Sequence, residues 1–167
     1  MKEYDVVVIG AGPGGYVAAI RSAQLGKKTA IVEKRFLGGV CLNIGCIPSK
    51  ALLRNADIAH TLRERGKEFG FKFDNLELDY SVAFDRSRKV SQRLVRGVTF
   101  LMKKNKIDVI MGAAKLTAKD TLEVTPEEGD VETIKAKDIV IATGSHPFTV
   151  PGVELDGEKV VDFEGAI

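Results

Sequence analysis

A chain of 167 residues, 44% hydrophobic and 29% charged, is typical of a globular domain with a core of its own. The net charge of +2 gives no sign of a nucleic-acid or membrane-surface partner, and no apolar run reaches the roughly 18 residues that span a bilayer. The first residues lead directly into a strand pattern without a signal-peptide core, so we expect a cytoplasmic or matrix-like protein.

The amino-terminal part of the chain predicts a strand, a turn, a helix and a second strand. Residues 4–9 (Tyr-Asp-Val-Val-Val-Ile) indicate a strand buried on both faces. A glycine-rich turn follows at positions 10–15, then a helix over 16–25 that Gly26 ends, and an apolar strand over 29–32 with Glu33 at its end. This is the context that a dinucleotide-binding G-x-G-x-x-G motif requires.

Each part of the motif has a physical role. Gly10 and Gly12 let the backbone turn and approach a pyrophosphate, Gly15 allows close helix–strand packing, and the helix N-terminus faces the anion. Glu33 would accept hydrogen bonds from adenosine ribose hydroxyls. The motif alone does not separate NAD from FAD, although Glu33 would repel the 2′-phosphate of NADP. A glycine-rich turn without a ligand is the alternative.

The two cysteines, Cys41 and Cys46, are five positions apart within residues 38–50. Such a pair is a redox couple, a metal clip or a coincidence. Zinc prefers four Cys or His ligands, and the only histidines, His60 and His146, are remote in sequence. A purely structural bridge would close a loop too small to constrain much of the unfolded chain.

Helix geometry favours the redox interpretation. Residues five apart in a regular helix have Cα atoms about 8.6 Å apart, whereas a disulfide needs roughly 4.4–6.8 Å. A bridge therefore requires a deformed turn, for which Gly45 gives backbone freedom. Pro48 fits the first turn of a following helix, and Cys46 would lie just before that helix, where the dipole favours a thiolate.

The remaining sequence predicts two helices and several strands. A helix over 51–65 contains His60, to which we assign no role, and a connector over 69–79 leads to a helix capped by Asp79 or Ser81 that runs to about Lys104. Its basic residues are interpreted as a solvated face rather than a docking face. Strands are predicted over 107–111, 114–116, 121–124, 132–136 and 139–145, three of them in an antiparallel meander, and residues 151–167 look like a linker.

The segment Gly-Gly-Val-Cys-Leu-Asn-Ile-Gly-Cys-Ile-Pro-Ser-Lys closely resembles the redox-active segment of dihydrolipoamide dehydrogenases, among the pyridine nucleotide–disulfide oxidoreductases. The resemblance implies an α/β fold of the FAD/NAD(P)-binding, Rossmann-like, three-layer type: a parallel sheet with helices on one face and a small antiparallel meander on the other. It implies a FAD-binding domain with the redox disulfide over 1–150, and a linker over 151–167 toward an NAD-binding domain.

The same resemblance assigns roles to individual residues. Cys41 would be the catalytic thiol that exchanges with the substrate, Cys46 the catalytic thiol on the flavin side, and Lys50 would place its ammonium near the flavin. His146 stands where the family has a basic residue such as Arg. The residues that would contact FAD are Gly10, Gly12, Pro13, Gly14, Gly15, Glu33, Lys34, Gly38, Gly39, Val40, Cys41, Cys46, Lys50, Ala114, Ala142, Thr143, Gly144 and Ser145.

The activity that this resemblance implies is oxidation of a dihydrolipoyl group, with electrons passing through the disulfide and FAD to NAD. The lipoyl group would be carried by an acyltransferase or carrier protein, and the whole enzyme would be a homodimer. A second G-x-G-x-x-G and the family's His–Glu base are not in this sequence. We therefore expect a fragment or split subunit that by itself binds FAD weakly or not at all and has no turnover.

Two alternatives remain open at this point. One is another disulfide oxidoreductase, such as a mercuric or glutathione reductase, although Val40 and Leu42 favour the lipoamide branch. The other is a nucleotide-binding module that has no turnover by itself.

Overall fold

The computed structural model describes residues 1–167 and contains six β-strands and five α-helices. The strands are β1 (Lys2–Ile9), β2 (Thr29–Glu33), β3 (Asp108–Met111), β4 (Ala113–Ala118), β5 (Thr121–Thr125) and β6 (Glu132–Ile141). The helices are α1 (Pro13–Gln24), α2 (Gly39–Asn43), α3 (Cys46–Arg65), α4 (Tyr80–Lys104) and α5 (Phe163–Ala166).

All six strands form one mixed sheet in the order β3-β2-β1-β6-β5-β4. The first four strands in this order are parallel, and β5 and β4 continue the sheet in antiparallel pairs. Strand β1 lies inside the sheet, where Val8 is opposite Ile31 of β2 and Val140 of β6. The predicted central, doubly buried position of residues 4–9 is confirmed.

The two faces of the parallel strands are covered by different layers. Because side chains alternate along a strand, Val6 and Val8 point to one face of β1 and Val7 to the other. The first face packs against the helices, in a core of Val6, Val8, Ala11, Ala19, Ile31, Leu42, Val98, Met102 and Ile107. The second packs against the antiparallel strands, in a core of Tyr4, Val7, Ala30, Val32, Leu122, Val124, Ile134 and Ala136. The predicted three-layer arrangement is confirmed.

The division of residues 132–145 into two strands was wrong. Strand β6 is continuous from Glu132 to Ile141, because β1 offers it pairing partners from Lys2 to Ile9. Its first half also pairs with β5, so one strand belongs to both the parallel and the antiparallel parts of the sheet. Where the pairing with β1 is interrupted, the Lys137 ammonium lies 2.7 Å from the Asp5 carboxylate.

The long helix α4 begins and ends close to the prediction. Asp79 is its N-cap and accepts hydrogen bonds from the backbone N–H of Ser81 (2.8 Å) and Val82 (3.4 Å). Hydrogen bonding from Ser81 also holds the pKa of Asp79 below its usual value. The segment predicted as a linker carries the short helix α5. No helix in the structure combines the length and the apolar character needed to cross a membrane.

The packing of the antiparallel strands on the parallel strands can be tested at one cross-strand pair of leucines. Leu122 of β5 is fully buried, whereas its cross-strand partner Leu116 of β4 is 45% exposed. We predict that Leu122→Ala lowers the free energy of unfolding by about 2–5 kcal/mol, because it leaves a cavity. Leu116→Ala should cost less than about 1 kcal/mol. Urea unfolding followed by circular dichroism measures both, and equal losses would contradict this packing.

Candidate functional site

The glycine-rich turn contacts the segment that precedes the first cysteine. The backbone N–H of Gly38 donates to the carbonyl of Ala11 at 2.9 Å. Gly38 and Gly39 have positive φ angles of 93° and 64°, which favour glycine. A Cβ on Gly39 would lie only 2.5 Å from the Gly12 Cα. The two backbones therefore pack directly on one another, with no side chain between them.

Glu33 at the end of β2 organises the same turn. One carboxylate oxygen accepts a hydrogen bond from the Ala11 N–H at 2.7 Å. The other accepts from the N–H groups of Arg35 (2.8 Å) and Phe36 (3.4 Å). Sequence reasoning predicted only ribose contacts for Glu33. The Ala11 contact was missed because it depends on how β1 and β2 align in the sheet, and the contacts with Arg35 and Phe36 depend on the bend that follows β2.

The end of β6 also reaches the glycine-rich turn. The Ala142 N–H donates to the Ile9 carbonyl at 2.8 Å, and a Cβ on Gly10 would overlap the Ala142 carbonyl oxygen. A Cβ on Gly15 would in turn overlap the Gly10 carbonyl oxygen. Gly10 and Gly15 are therefore needed for packing within the protein.

Gly12 and Gly14 have a different environment. A Cβ on Gly14 would meet no atom within 4 Å, and one on Gly12 would only reach Gly39 at 4.0 Å. Helix α1 starts here without a side-chain cap and without an acidic residue in its first turn. Its first N–H groups have no partner within the helix, so they attract an anion. This open cradle fits a phosphate group.

The cysteines are joined in a disulfide, and their Cα atoms are 4.6 Å apart. Cys41 lies in α2, and Cys46 is the first residue of α3, one position later in the helix than predicted. The helix is interrupted between Asn43 and Cys46. The predicted bridge across a deformed turn at the start of the Lys50 helix is confirmed.

Three side chains that sequence reasoning missed hold this redox loop, which we define as residues 41–46. The Asn43 amide donates to the carbonyls of Leu37 (3.1 Å) and Gly39 (2.9 Å). The Ser49 hydroxyl donates to the Gly45 carbonyl at 2.6 Å, and Arg88 of α4 reaches the Asn43 carbonyl at 3.3 Å. Asn43 and Ser49 lie within the recognised segment, but nothing in the sequence indicates that Arg88 lies beside it.

Of the other predicted site residues, Val40 adjoins the redox loop, where its carbonyl accepts a hydrogen bond from the Ile44 N–H at 2.9 Å. Ala114 is half-buried on β4, and the Gly112 N–H beside it donates to the Glu33 carbonyl at 2.8 Å. Exposed positions are occupied by Pro13, Lys34, Val40, Lys50, Thr143, Gly144 and Ser145. His60 and His146 are exposed as well.

An ion pair connects the Glu33 region with the carboxy-terminal segment. Arg35 donates through both terminal nitrogens to the Glu164 carboxylate of α5, at 2.8 and 2.7 Å. The Arg35 guanidinium thereby holds the pKa of Glu164 below its usual range. Helix α5 is thus tethered next to the end of β2.

Comparison with known proteins decides the family. The model of the family described as Pyridine nucleotide-disulphide oxidoreductase matches residues 4–166. The chain belongs to this family. The resemblance of its redox segment to that family is confirmed.

Individual members of the family are similar to this chain over nearly its whole length. It is 53% identical over 170 residues to the dihydrolipoyl dehydrogenase of Mycobacterium leprae, with 100% of this chain and 36% of that protein covered. It is 45% identical to the mitochondrial dihydrolipoyl dehydrogenase of Pisum sativum, with 99% and 33% covered.

A solved structure shows the same fold. This is the Cu(II) complex of the HOCl-induced flavoprotein disulfide reductase RclA from Escherichia coli, with a TM-score of 0.74 and 30% identity over 90% of this chain and 31% of that one. The chain thus spans about a third of the length of its oxidoreductase relatives.

The contrast between glycines that pack against backbone and glycines that face open space leads to a prediction. Gly15→Ala should lower the free energy of unfolding by about 1–3 kcal/mol or more, because the new methyl group overlaps backbone. Gly14→Ala should leave stability unchanged or raise it by up to about 1 kcal/mol through helix propensity. Urea titrations of both variants check this. A loss in Gly14→Ala as large as that in Gly15→Ala would show that the glycines are not divided in this way.

The tether of α5 should depend on pH. Because the pKa of Glu164 is lowered in the folded chain, the ion pair contributes its full stabilisation at pH values above the unfolded-state pKa of about 4.5. That stabilisation is lost as the pH falls through the lower, folded-state pKa. At pH 7 we predict that Glu164→Gln increases protease cleavage between residues 146 and 162 by no more than about fivefold, as expected for an exposed pair. The matched control is Glu158→Gln, because the Glu158 carboxylate has no ion-pair partner. Identical cleavage rates in the two variants would refute the tether.

Proposed function

We propose that this chain is the FAD-binding, redox-disulfide part of a dihydrolipoyl dehydrogenase. One observation supports it above all: the Cys41–Cys46 disulfide lies on a loop whose start packs backbone to backbone on the glycine-rich turn. A dinucleotide held by that turn and a disulfide on that loop are therefore neighbours. The relatives at 45–53% identity carry the name dihydrolipoyl dehydrogenase.

The residues of the cradle fit FAD. Gly12 and Gly14 leave room for the pyrophosphate at the start of α1, and Glu33 lies at the end of β2, where a ribose would lie. The further contacts proposed are those of Gly10, Pro13, Gly15, Lys34, Gly38, Gly39, Val40, Cys41, Cys46, Lys50, Ala114, Ala142, Thr143, Gly144 and Ser145. When bound, FAD supplies the acceptor for the electron pair that the reduced cysteines release. NAD would be the final acceptor of the whole enzyme.

The chain's own chemistry is thiol–disulfide exchange. A thiolate of the dihydrolipoyl group attacks the Cys41 sulfur, the Cys41–Cys46 bond breaks, and Cys46 leaves as a thiolate. The second substrate thiolate then displaces Cys41 and closes the lipoyl disulfide. Two electrons pass to the cysteine pair, and the two substrate protons go to water or to the cysteine sulfurs. The position of Cys46 at the first residue of α3 stabilises its negative charge.

Further proposals concern the domain and its partners. Residues 1–150 would form the FAD-binding domain, and residues 151–167 would lead toward an NAD-binding domain. The substrate would be a lipoyl group on an acyltransferase or carrier protein, and the whole enzyme would be a homodimer.

The cradle can be tested with a matched pair of variants. We predict saturable but weak binding when the chain is titrated with FAD to millimolar concentrations and flavin fluorescence is recorded. Gly14→Val should weaken this binding at least about tenfold, because its side chain fills the open space. Val17→Ala, which changes an exposed side chain on the same helix, should have no effect. Saturable binding that is equally tight in both variants would exclude this cradle.

The substrate class can be tested on the same chain. After reduction and removal of the reductant, reoxidation by lipoamide or oxidised glutathione is followed by counting alkylated thiols by mass spectrometry. Each rate is divided by the rate of the same oxidant with dithiothreitol, which corrects for intrinsic reactivity. The corrected lipoamide rate should exceed the glutathione rate at least about tenfold, and Cys41→Ser should abolish it. A faster corrected reaction with glutathione would favour the glutathione reductase alternative.

A further inference from the structure

Arg88 on α4 is a partly buried charge without an acidic partner. Its Nε donates to the Ser87 hydroxyl at 3.3 Å, and its guanidinium carbon lies 5.1 Å from the centre of the Phe84 ring. Its Nη2 atom is buried and has no hydrogen-bond partner. None of the five ion pairs in the structure includes Arg88. Burying such a charge is costly unless another group compensates it.

The other hydrogen bond of the Arg88 side chain is to the redox loop. Its Nη1 donates to the Asn43 carbonyl at 3.3 Å. Asn43 is the last residue of α2, so its carbonyl has no partner within that helix. It lies two residues after Cys41 and three before Cys46. By chain length alone, the Asn43 Cα lies within about 7 Å of the Cys41 Cα and within about 11 Å of the Cys46 Cα. Charges separated by about one screening length, roughly 10 Å at ordinary salt, still interact.

The charge of the loop changes with its redox state. The disulfide is neutral, whereas the reduced pair contains a thiolate when one thiol ionises. A nearby cation favours the ionised form. We propose that Arg88 is a positioning residue of the redox loop: it fixes the segment between the cysteines and favours the thiolate that forms on reduction.

The elements around the loop carry other titratable groups as well. Helix α1 contributes Tyr16 and Arg21, and α2 has no charged residue. Helix α3 has Lys50 and Arg54 in its first three turns, and its first acidic residue is Asp57. On α4, Asp85, Arg86 and Lys89 flank Arg88 in sequence. Among these, Arg86 donates to the Ala51 carbonyl at 3.4 Å, and only Arg88 contacts the loop itself.

This inference rests on the proposed redox role of the disulfide. In that role the pair takes two electrons from a dithiol, the S–S bond breaks, the dithiol closes to its own disulfide, and its two protons pass to water or to the cysteines. If dithiothreitol does not reduce the bridge, the proposed function fails. If reduction proceeds but ionisation of the thiols does not depend on Arg88, only the present inference fails.

The test measures thiol ionisation in the reduced chain. Iodoacetamide alkylation of each cysteine is followed by mass spectrometry between pH 5 and 10. Arg88→Gln, which keeps a donor but removes the charge, should raise the lower ionisation midpoint and slow alkylation at pH 6.5 about three- to tenfold. Arg88→Lys should retain most of the wild-type rate. Arg93→Met, an exposed arginine on the same helix, should retain all of it.

A second variant neutralises the charge without removing Arg88. Ser91 is buried three residues further along α4, and its hydroxyl has no partner. An aspartate at i+3 can pair with an arginine, so Ser91→Asp should raise the midpoint as Arg88→Gln does, and Ser91→Asn should not. Circular dichroism is used to check that each variant is folded. The inference is overturned if the folded charge-neutralising variants keep the wild-type midpoint, or if the wild-type midpoint is at or above the ordinary cysteine value of about 8.5.

Discussion

The close approach of two backbone segments determines the rest of the site. Gly12 of the glycine-rich turn and Gly39 before the redox loop are in direct contact, and the Gly38 N–H donates to the Ala11 carbonyl. A side chain at Gly39 would push the segments apart. The disulfide would then move away from the start of α1, where an anion is favoured. The cradle and the disulfide are thus parts of one backbone arrangement.

Most of the interactions that hold this arrangement are hydrogen bonds between side chains and backbone groups. Glu33 accepts from the Ala11 N–H, Asn43 donates to two carbonyls, and Arg88 donates to the carbonyl at the end of α2. Such contacts satisfy polar groups that turns and helix ends leave free. They also leave Cys46 exposed and the cradle open at Gly14, as exchange chemistry and ligand binding require.

The sheet explains how distant segments reach the site. The parallel strands β1, β2 and β6 all end at the same edge, so the glycine-rich turn, Glu33 and Ala142 come together although Ala142 is more than a hundred residues from the other two in sequence. The antiparallel strands cover the opposite face of these strands and keep β1 buried on both sides. Continuity of β6 joins the two parts, and this was missed because the charged pair Lys137–Asp138 looks like a break between two apolar strands.

The sequence by itself determined the family, the βαβ unit, the capped helix α4 and the pairing of the two cysteines, because these depend on local patterns. A helix cannot bring residues five apart within bridging distance, so the deformed turn also followed from spacing alone. The tertiary structure decided which glycines pack against backbone and which face open space. It also decided that Glu33 accepts a hydrogen bond from the glycine-rich turn and that Arg88 lies beside the redox loop. These facts depend on strand register and on the way α4 crosses α2 and α3. Side-chain contacts between residues 22 to 45 positions apart leave no periodic signal in the sequence.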